Sequence, residues 1–242
     1  MSTSFSKDYE KKIVQNWIDR SGISLVEEYL LPKYITNNKL KVIEAGTAAG
    51  VFSFYLEENF GFKNITAFDI IDEMIVTAKA KAKAKQSSIT FVQGDASNLD
   101  AFKNNEFDYL IYLGQILSML PKNLLDASLK EAYRLGNKNA VYIFSFLDWE
   151  SRWYNPLVSL AINSVRFITG RKVKKYYIPE LLLGKSINKR FFSKEQNGIL
   201  WIKKKQILKK LDDLGYQVES YYKEEDLTKM KGRAMYIICK KK

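Results

Sequence analysis

The 242-residue chain predicts an α/β fold: a doubly wound, seven-stranded, mostly parallel sheet with an N-terminal helical cap and a helical insertion after the fifth strand. Two observations predict it. Five short apolar runs between residues 40 and 146 alternate with longer segments of helical period, the pattern of successive βαβ units. After about fifty residues without that rhythm, an amphipathic helix and two further strands follow, and the short loop between these strands makes them a hairpin on an otherwise parallel sheet.

Residues 5–35 have helical period, with Ile13, Trp17 and Ile18 on one face and Val26, Tyr29 and Leu30 on another. Ser21-Gly22 breaks this run in two, and Pro32 lies near its end. "LKVIEA" is the first strand and "AGVFSFYLEENF" a helix. "NITAFD" is the second strand. "DEMIVTAKAKAKAK" alternates with a strand-like period of two, yet alanine favours helix and avoids strands, so a helix is expected. "SITFVQGD", "FDYLIYLG" and "NAVYIFSF" are strands three to five, and "LLDASLKEAYRLGN" is a helix ended by Gly136. "WIKKKQILKKLDDLG" is a helix closed by Gly215, and "YQVESYY" and "RAMYIICKK" form the hairpin. The expected units are a cap over 1–38, a core over 39–147 and 200–242, and an insertion over 148–199.

Composition excludes several chemistries. There is no histidine, so Ser-His-Asp and Cys-His mechanisms are excluded, and any proton transfer falls to Asp, Glu, Lys, Tyr or water. The single cysteine, Cys239, allows neither an internal disulfide nor a cysteine-cluster metal site, and no metal is expected. The polar start "MSTSFSKDYEKK" has no signal-peptide pattern, and no segment reads as membrane-spanning; a cytoplasmic protein is expected. The net charge of +12 is uneven: residues 171–242 hold 20 Lys+Arg against 8 Asp+Glu, while residues 1–170 balance at 19 and 19. Such a surplus suits phosphates or an anionic membrane, or is simply a solvated lysine-rich surface.

Three features fall at the carboxyl ends of successive strands, where an open α/β sheet binds its ligand. They are the turn "EAGTAAG" (44–50), Asp69 and "GDA" (94–96). A dinucleotide site would show G-x-G-x-x-G and an acid only afterwards. Here Glu44 precedes the glycines and the spacing is G-x-x-x-G, which suits a ligand with a cationic end and a ribose but no phosphate. Glu44 can face an ammonium or sulfonium, or simply cap the turn. Asp69 can accept from ribose hydroxyls or cap the next helix, and Asp95 can accept from an adenine amino group or serve as a turn residue.

At these residues the chain resembles the Rossmann-like (class I) S-adenosylmethionine-dependent methyltransferases. Their first motif is an acid and then G-x-G-x-G; this chain keeps Glu44, Gly46 and Gly50 and has Ala48 at the middle glycine. "FDIIDEMIVTAKAKA", "FVQGDASNL" and "FDYLIYLGQIL" match the next three motifs in order, and the terminal helix and strands match the family's reversed last strand. The resemblance implies S-adenosylmethionine as cofactor, with S-adenosylhomocysteine as product. It implies that Gly46, Thr47, Ala48 and Gly50 line the methionine portion. Asp69 with Ile70 would meet the ribose, Asp95 and Ala96 the adenine, and Leu113 and Gly114 the methyl group.

Methyl transfer needs alignment more than acid–base chemistry. Asp148 and Tyr112 are the candidate bases, with Glu150 behind them, and Gln115 is placed to orient an acceptor. The Asp/Asn/Ser-Pro-Pro-aromatic motif of amino-methylating nucleic-acid enzymes is replaced by "LGQIL", and Cys239 lies in the last strand, away from where a cytosine C5 nucleophile belongs. The insertion interleaves Trp149, Trp153, Tyr154, Phe167, Tyr176, Tyr177, Phe191 and Phe192 with Arg152, Arg166, Arg171 and the lysines of 172–175. The expected activity is O- or N-methylation of a small molecule or glycan under this lid. The alternatives are an RNA-binding methyltransferase using the basic C-terminal part, and a membrane-surface protein with Trp153 to Lys175 on anionic lipid.

Overall fold

The computed structural model describes residues 15–151, 156–171, 182–183, 186–187, 199–230 and 232–242. Residues 15–18 are helical (α1). Then come α2 (Leu25–Tyr34), β1 (Val42–Ala45), α3 (Val51–Phe60), β2 (Ile65–Asp69), α4 (Asp72–Lys85) and β3 (Thr90–Gln93). β4 (Phe107–Tyr112), α5 (Ile116–Met119), α6 (Lys122–Leu135) and β5 (Gly136–Asp148) follow. After a 3-10 turn (Trp149–Ser151) come α7 (Pro156–Ile168), β6 (Leu182–Leu183), β7 (Ser186–Ile187), β8 (Trp201–Ile202), α8 (Lys204–Asp213), β9 (Tyr216–Lys223), α9 (Glu224–Thr228) and β10 (Ala234–Lys241).

The sheet runs β3-β2-β1-β4-β5-β10-β9, and β8 adds to the end of β5. All neighbours pair in parallel except β10, which runs antiparallel to both β5 and β9. This is the expected mostly parallel sheet with one reversed terminal strand. It differs in one strand: β8 pairs in parallel with Leu147 and Asp148, making eight where seven were expected. "WI" at 201–202 opens the expected helix in sequence, but it pairs with β5 instead, and the helix starts at Lys204.

The core occupies both faces of the sheet, as a parallel sheet requires. Along β4, Leu110 and Tyr112 pack on one face while Tyr109 and Ile111 pack on the other. α2 covers the second face with Val26, Leu30 and Leu31, so the N-terminal helix is part of the core packing. In α4 the buried residues are Met74, Ile75, Ala78 and Ala82, spaced about one helical turn apart, so the alanine–lysine run is a helix despite its period of two. Gly136 closes α6 with extended backbone; a Cβ there would meet the Tyr142 hydroxyl at 2.0 Å, so close packing selects glycine. Gly215 does follow α8 in the left-handed region, at φ +90°.

Of the expected insertion, α7 is helical and β6 pairs with β7. Arg152, Trp153, Tyr154, Lys172 to Lys175, Tyr176, Tyr177, Phe191 and Phe192 lie outside the described residues, as does Ile13 of the expected cap.

Candidate active site

The turn after β1 is shaped by backbone. Gly46, Ala48 and Gly50 all adopt positive φ, at +68°, +49° and +83°. The Gly46 and Thr47 N–H groups both donate to the Phe68 carbonyl, at 2.8 and 3.0 Å, which draws the turn against the end of β2. A Cβ on Gly46 would meet Ile116 Cγ2 at 2.4 Å, so this glycine permits the close approach of α5. One on Gly50 would meet Phe91 at 2.8 Å and Phe54 at 2.9 Å.

Glu44 is buried at the mouth of the turn. Its Oε2 accepts from Thr47 Oγ1 at 2.7 Å and from the Ser53 hydroxyl. Burial pushes its carboxyl up to about 7, against the pull of the Ser53 and Thr47 bonds, with Glu27 and Asp69 adding repulsion. Asp69 ends β2. Its Oδ2 accepts from Ala48 N–H at 2.9 Å and its Oδ1 from Ile71 N–H at 3.0 Å. Burial raises its pKa, opposed by these backbone donors. Asp95 Oδ1 accepts from the N–H and hydroxyl of Ser97, at 2.8 and 2.7 Å.

After β4 the chain turns through Gly114 and Gln115, both at positive φ. The Gln115 N–H donates to Ser145 Oγ at 2.8 Å, which fixes this corner to β5.

These turns surround a cavity of about 340 Å³. Glu44, Gly46, Thr47, Ala48, Asp69, Ile70, Asp95, Ala96, Leu113 and Gly114 line it. So do Trp17, Arg20 and Glu27 of the N-terminal segment. A second cavity, of about 470 Å³, shares Trp17, Arg20, Glu27, Leu113 and Gly114 with the first. Gln115, Glu224 and Tyr236 line only the second.

Residues 42–139 match the methyltransferase-domain family. Over those residues the chain carries a methyltransferase domain, and its fold is Rossmann-like. A domain of this family implies S-adenosylmethionine as cofactor. Among solved structures, the fold is similar to the PH0226 protein of Pyrococcus horikoshii OT3, with a TM-score of 0.61, 23% identity and coverage of 98% of this chain and 93% of that one. It is similar to an S-adenosylmethionine-dependent methyltransferase of Methanosarcina mazei, with a TM-score of 0.65, 18% identity and coverage of 88% and 96%. It is also similar to the [4+2]-cyclase SpnF, with a TM-score of 0.62, 12% identity and coverage of 89% and 80%. At these identities the likeness is one of fold, and the cyclase shows that the fold alone does not name the reaction. No curated protein matches the sequence.

The methyltransferase's first cavity suits that cofactor. Its lining holds the carboxyl groups of Glu27, Glu44, Asp69 and Asp95 against the single guanidinium of Arg20, with Phe52, Phe68, Met74 and Leu113 as apolar wall. A cation is favoured there and a pyrophosphate is not. Among the described residues no group of three or more Cys, Asp or Glu is arranged to hold a metal.

Three expected site residues lie on neither cavity wall. Gly50 is off both cavity walls and starts α3 against Phe54 and Phe91. Tyr112 is buried in the core, 6.4 Å from the Phe68 ring and 5.6 Å from Phe144, and lines neither cavity. Burial drives its phenol far above the ordinary value. Asp148 is buried and lines neither cavity; its Oδ1 accepts from Glu150 N–H and its Oδ2 from the Ser151 hydroxyl, each at 3.0 Å. It caps the turn at the end of β5. Gln115 lines only the second cavity.

Sequence reasoning missed Trp17, Arg20 and Glu27. Glu27 is buried, and its Oε2 accepts from Arg20 Nη2 at 2.8 Å and from Ser24 N–H at 2.5 Å. Ser24-x-x-Glu27 is a capping box, a signal readable in the sequence, but it announces a helix start and not a cavity wall.

Proposed function

We propose that this methyltransferase transfers a methyl group to an oxygen or nitrogen of a small-molecule or glycan acceptor seated in the second cavity. The carrying observation is the shared wall: Leu113 and Gly114 border both cavities, so donor and acceptor meet there. Gly46 to Ala48 would hold the methionine end, Asp69 with Ile70 the ribose, and Asp95 with Ala96 the adenine. When bound, S-adenosylmethionine supplies an electrophilic methyl on a sulfonium. The chain's own work is then to align and to exclude water. Gln115, which lines the second cavity with Tyr236, would orient the acceptor, and Glu27 and Glu224 are the carboxylates on that side.

The ion pairing of the C-terminal lysines speaks against an RNA-binding reading. Lys240 faces Glu219 at 2.7 Å, Lys242 faces Asp212 at 2.6 Å, and Lys209 faces Asp213 at 3.0 Å. These three lysines are thus locally paired with carboxylates.

Calorimetric titration of S-adenosylmethionine and S-adenosylhomocysteine into wild type and Asp69→Ala tests the donor site. Micromolar binding weakened at least about tenfold in the variant is expected. An acceptor screen on wild type and Gln115→Ala then tests the second cavity. If Gln115→Ala changes neither KM nor kcat for any acceptor found, the acceptor lies elsewhere.

A further inference from the structure

Among its described side chains, α7 presents a wide apolar face to solvent. Leu157, Leu160, Val165, Phe167 and Ile168 are exposed, the last two at 79% and 81%, while Arg166 is buried at 5%. At 3.6 residues per turn the five apolar residues span an arc of about 160°. Ala161 and Ser164, also exposed, fill the gaps without adding charge. Apolar area of this kind marks an interaction surface.

The neighbouring sequence says what covers it. From Ser151 to Pro179 there is no Asp or Glu, while Arg152, Arg166, Arg171, Lys172, Lys174 and Lys175 supply six cations. Four of the six follow α7 directly as "RKVKK" at 171–175, and the net +12 of the chain falls in residues 171–242. Among the described residues no helix is long and apolar enough to cross a membrane. A helix with a wide apolar face beside a basic cluster lies in the plane of an anionic bilayer, where apolar burial and charge attraction act together. A second copy of this chain fits less well, because it would bring the same six cations and no Asp or Glu from residues 151–179 to meet them.

We infer that α7 and the basic run after it dock the protein on an anionic lipid surface. The apolar face enters the headgroup boundary and the cations meet anionic headgroups.

Co-sedimentation with phosphatidylcholine vesicles, with and without about one-third phosphatidylserine, tests this. Wild type is expected to sediment only with the anionic vesicles, and binding is expected to fall with salt. Phe167→Asp/Ile168→Asp is expected to weaken binding at least about tenfold, and R171Q/K172Q/K174Q/K175Q to do the same, each Lys or Arg being worth roughly fivefold. Phe167 and Ile168 are exposed, and unchanged S-adenosylmethionine binding confirms that both variants fold. Failure of wild type to bind anionic vesicles at low salt overturns the inference, as does binding unaffected by Phe167→Asp/Ile168→Asp. A concentration-dependent dimer without lipid, abolished by that same variant, reassigns the face to a second copy and also overturns it.

Discussion

Ala48 donates its backbone N–H to Asp69 Oδ2 across 2.9 Å, and it does so at φ +49°, in the left-handed region. One hydrogen bond therefore ties the turn after β1 to the end of β2, and it holds a residue with a Cβ where glycine would be at ease.

Ala48→Gly should accordingly stabilise the protein. The left-handed alanine costs about 1–2 kcal/mol, and the added freedom of glycine in the unfolded chain returns about half of that. Urea unfolding should show a gain of roughly 0.5–1 kcal/mol with S-adenosylmethionine affinity retained. A less stable variant would mean that the methyl group makes a contact worth more than the strain.

Gly46→Ala should do the opposite. It combines φ +68° with a Cβ 2.4 Å from Ile116 Cγ2. A loss of about 2–3 kcal/mol is expected from strain and overpacking together. The steric share can be separated by Gly46→Ala/Ile116→Ala, in which the offending Cγ2 is gone. The double variant should lose less than the two single losses added, with the backbone share persisting. Plain additivity would place the whole cost in the backbone.

Glu44 makes stability depend on pH. Its carboxyl titrates near 4.5 when unfolded and near 7 when folded, so between those values the folded state holds the extra proton. Protons bound in excess by the folded state make stability fall as pH rises. For this group alone, stability should drop by about 2 kcal/mol from near pH 5.5 to near pH 8, and change little above. Glu44→Gln keeps an oxygen for Thr47 and Ser53 and removes the titration. Unfolding curves at the two pH values should show the wild type losing about 2 kcal/mol more than the variant. Parallel losses would mean that Glu44 titrates normally when folded.

Tyr112→Phe tests the corrected role of Tyr112. Its hydroxyl is buried and has no hydrogen-bond partner among the described residues. Removing a buried, unsatisfied hydroxyl should leave the protein as stable or raise stability by about 1 kcal/mol. Once an acceptor is identified, methyl transfer should persist in the variant. A loss of transfer with stability unchanged would restore Tyr112 as a catalytic group.

Much of the fold was legible because its signals are local. Glu44, Gly46, Asp69 and Asp95 sit at strand ends, and a strand end can be read from where an apolar run stops. The parallel βαβ topology then gathers successive strand ends at one edge of the sheet, so residues about 25 apart in sequence become neighbours on one cavity wall. Ala48 stands where the motif has its middle glycine; its φ, and so its strain, is set by the path of the turn against Phe68.

The sequence by itself determined the alternation of strands and helices, the ligand edge, and the chemistries ruled out by having no histidine. Tertiary structure decided which side chains face that edge. Tyr112 and Leu113 are adjacent, but strand pleat sends one into the core while the chain turns the other onto the cavity wall. Asp148 was a candidate base from its place after a strand, and the turn following β5 folds back so that Glu150 N–H and the Ser151 hydroxyl each donate to one of its oxygens. Trp17, Arg20 and Glu27 reach the site from a segment with no motif of its own, because their role comes only from α2 packing across the sheet. Period and composition set what a segment is. Which face it buries, and what it meets there, depends on contacts between residues far apart in the chain.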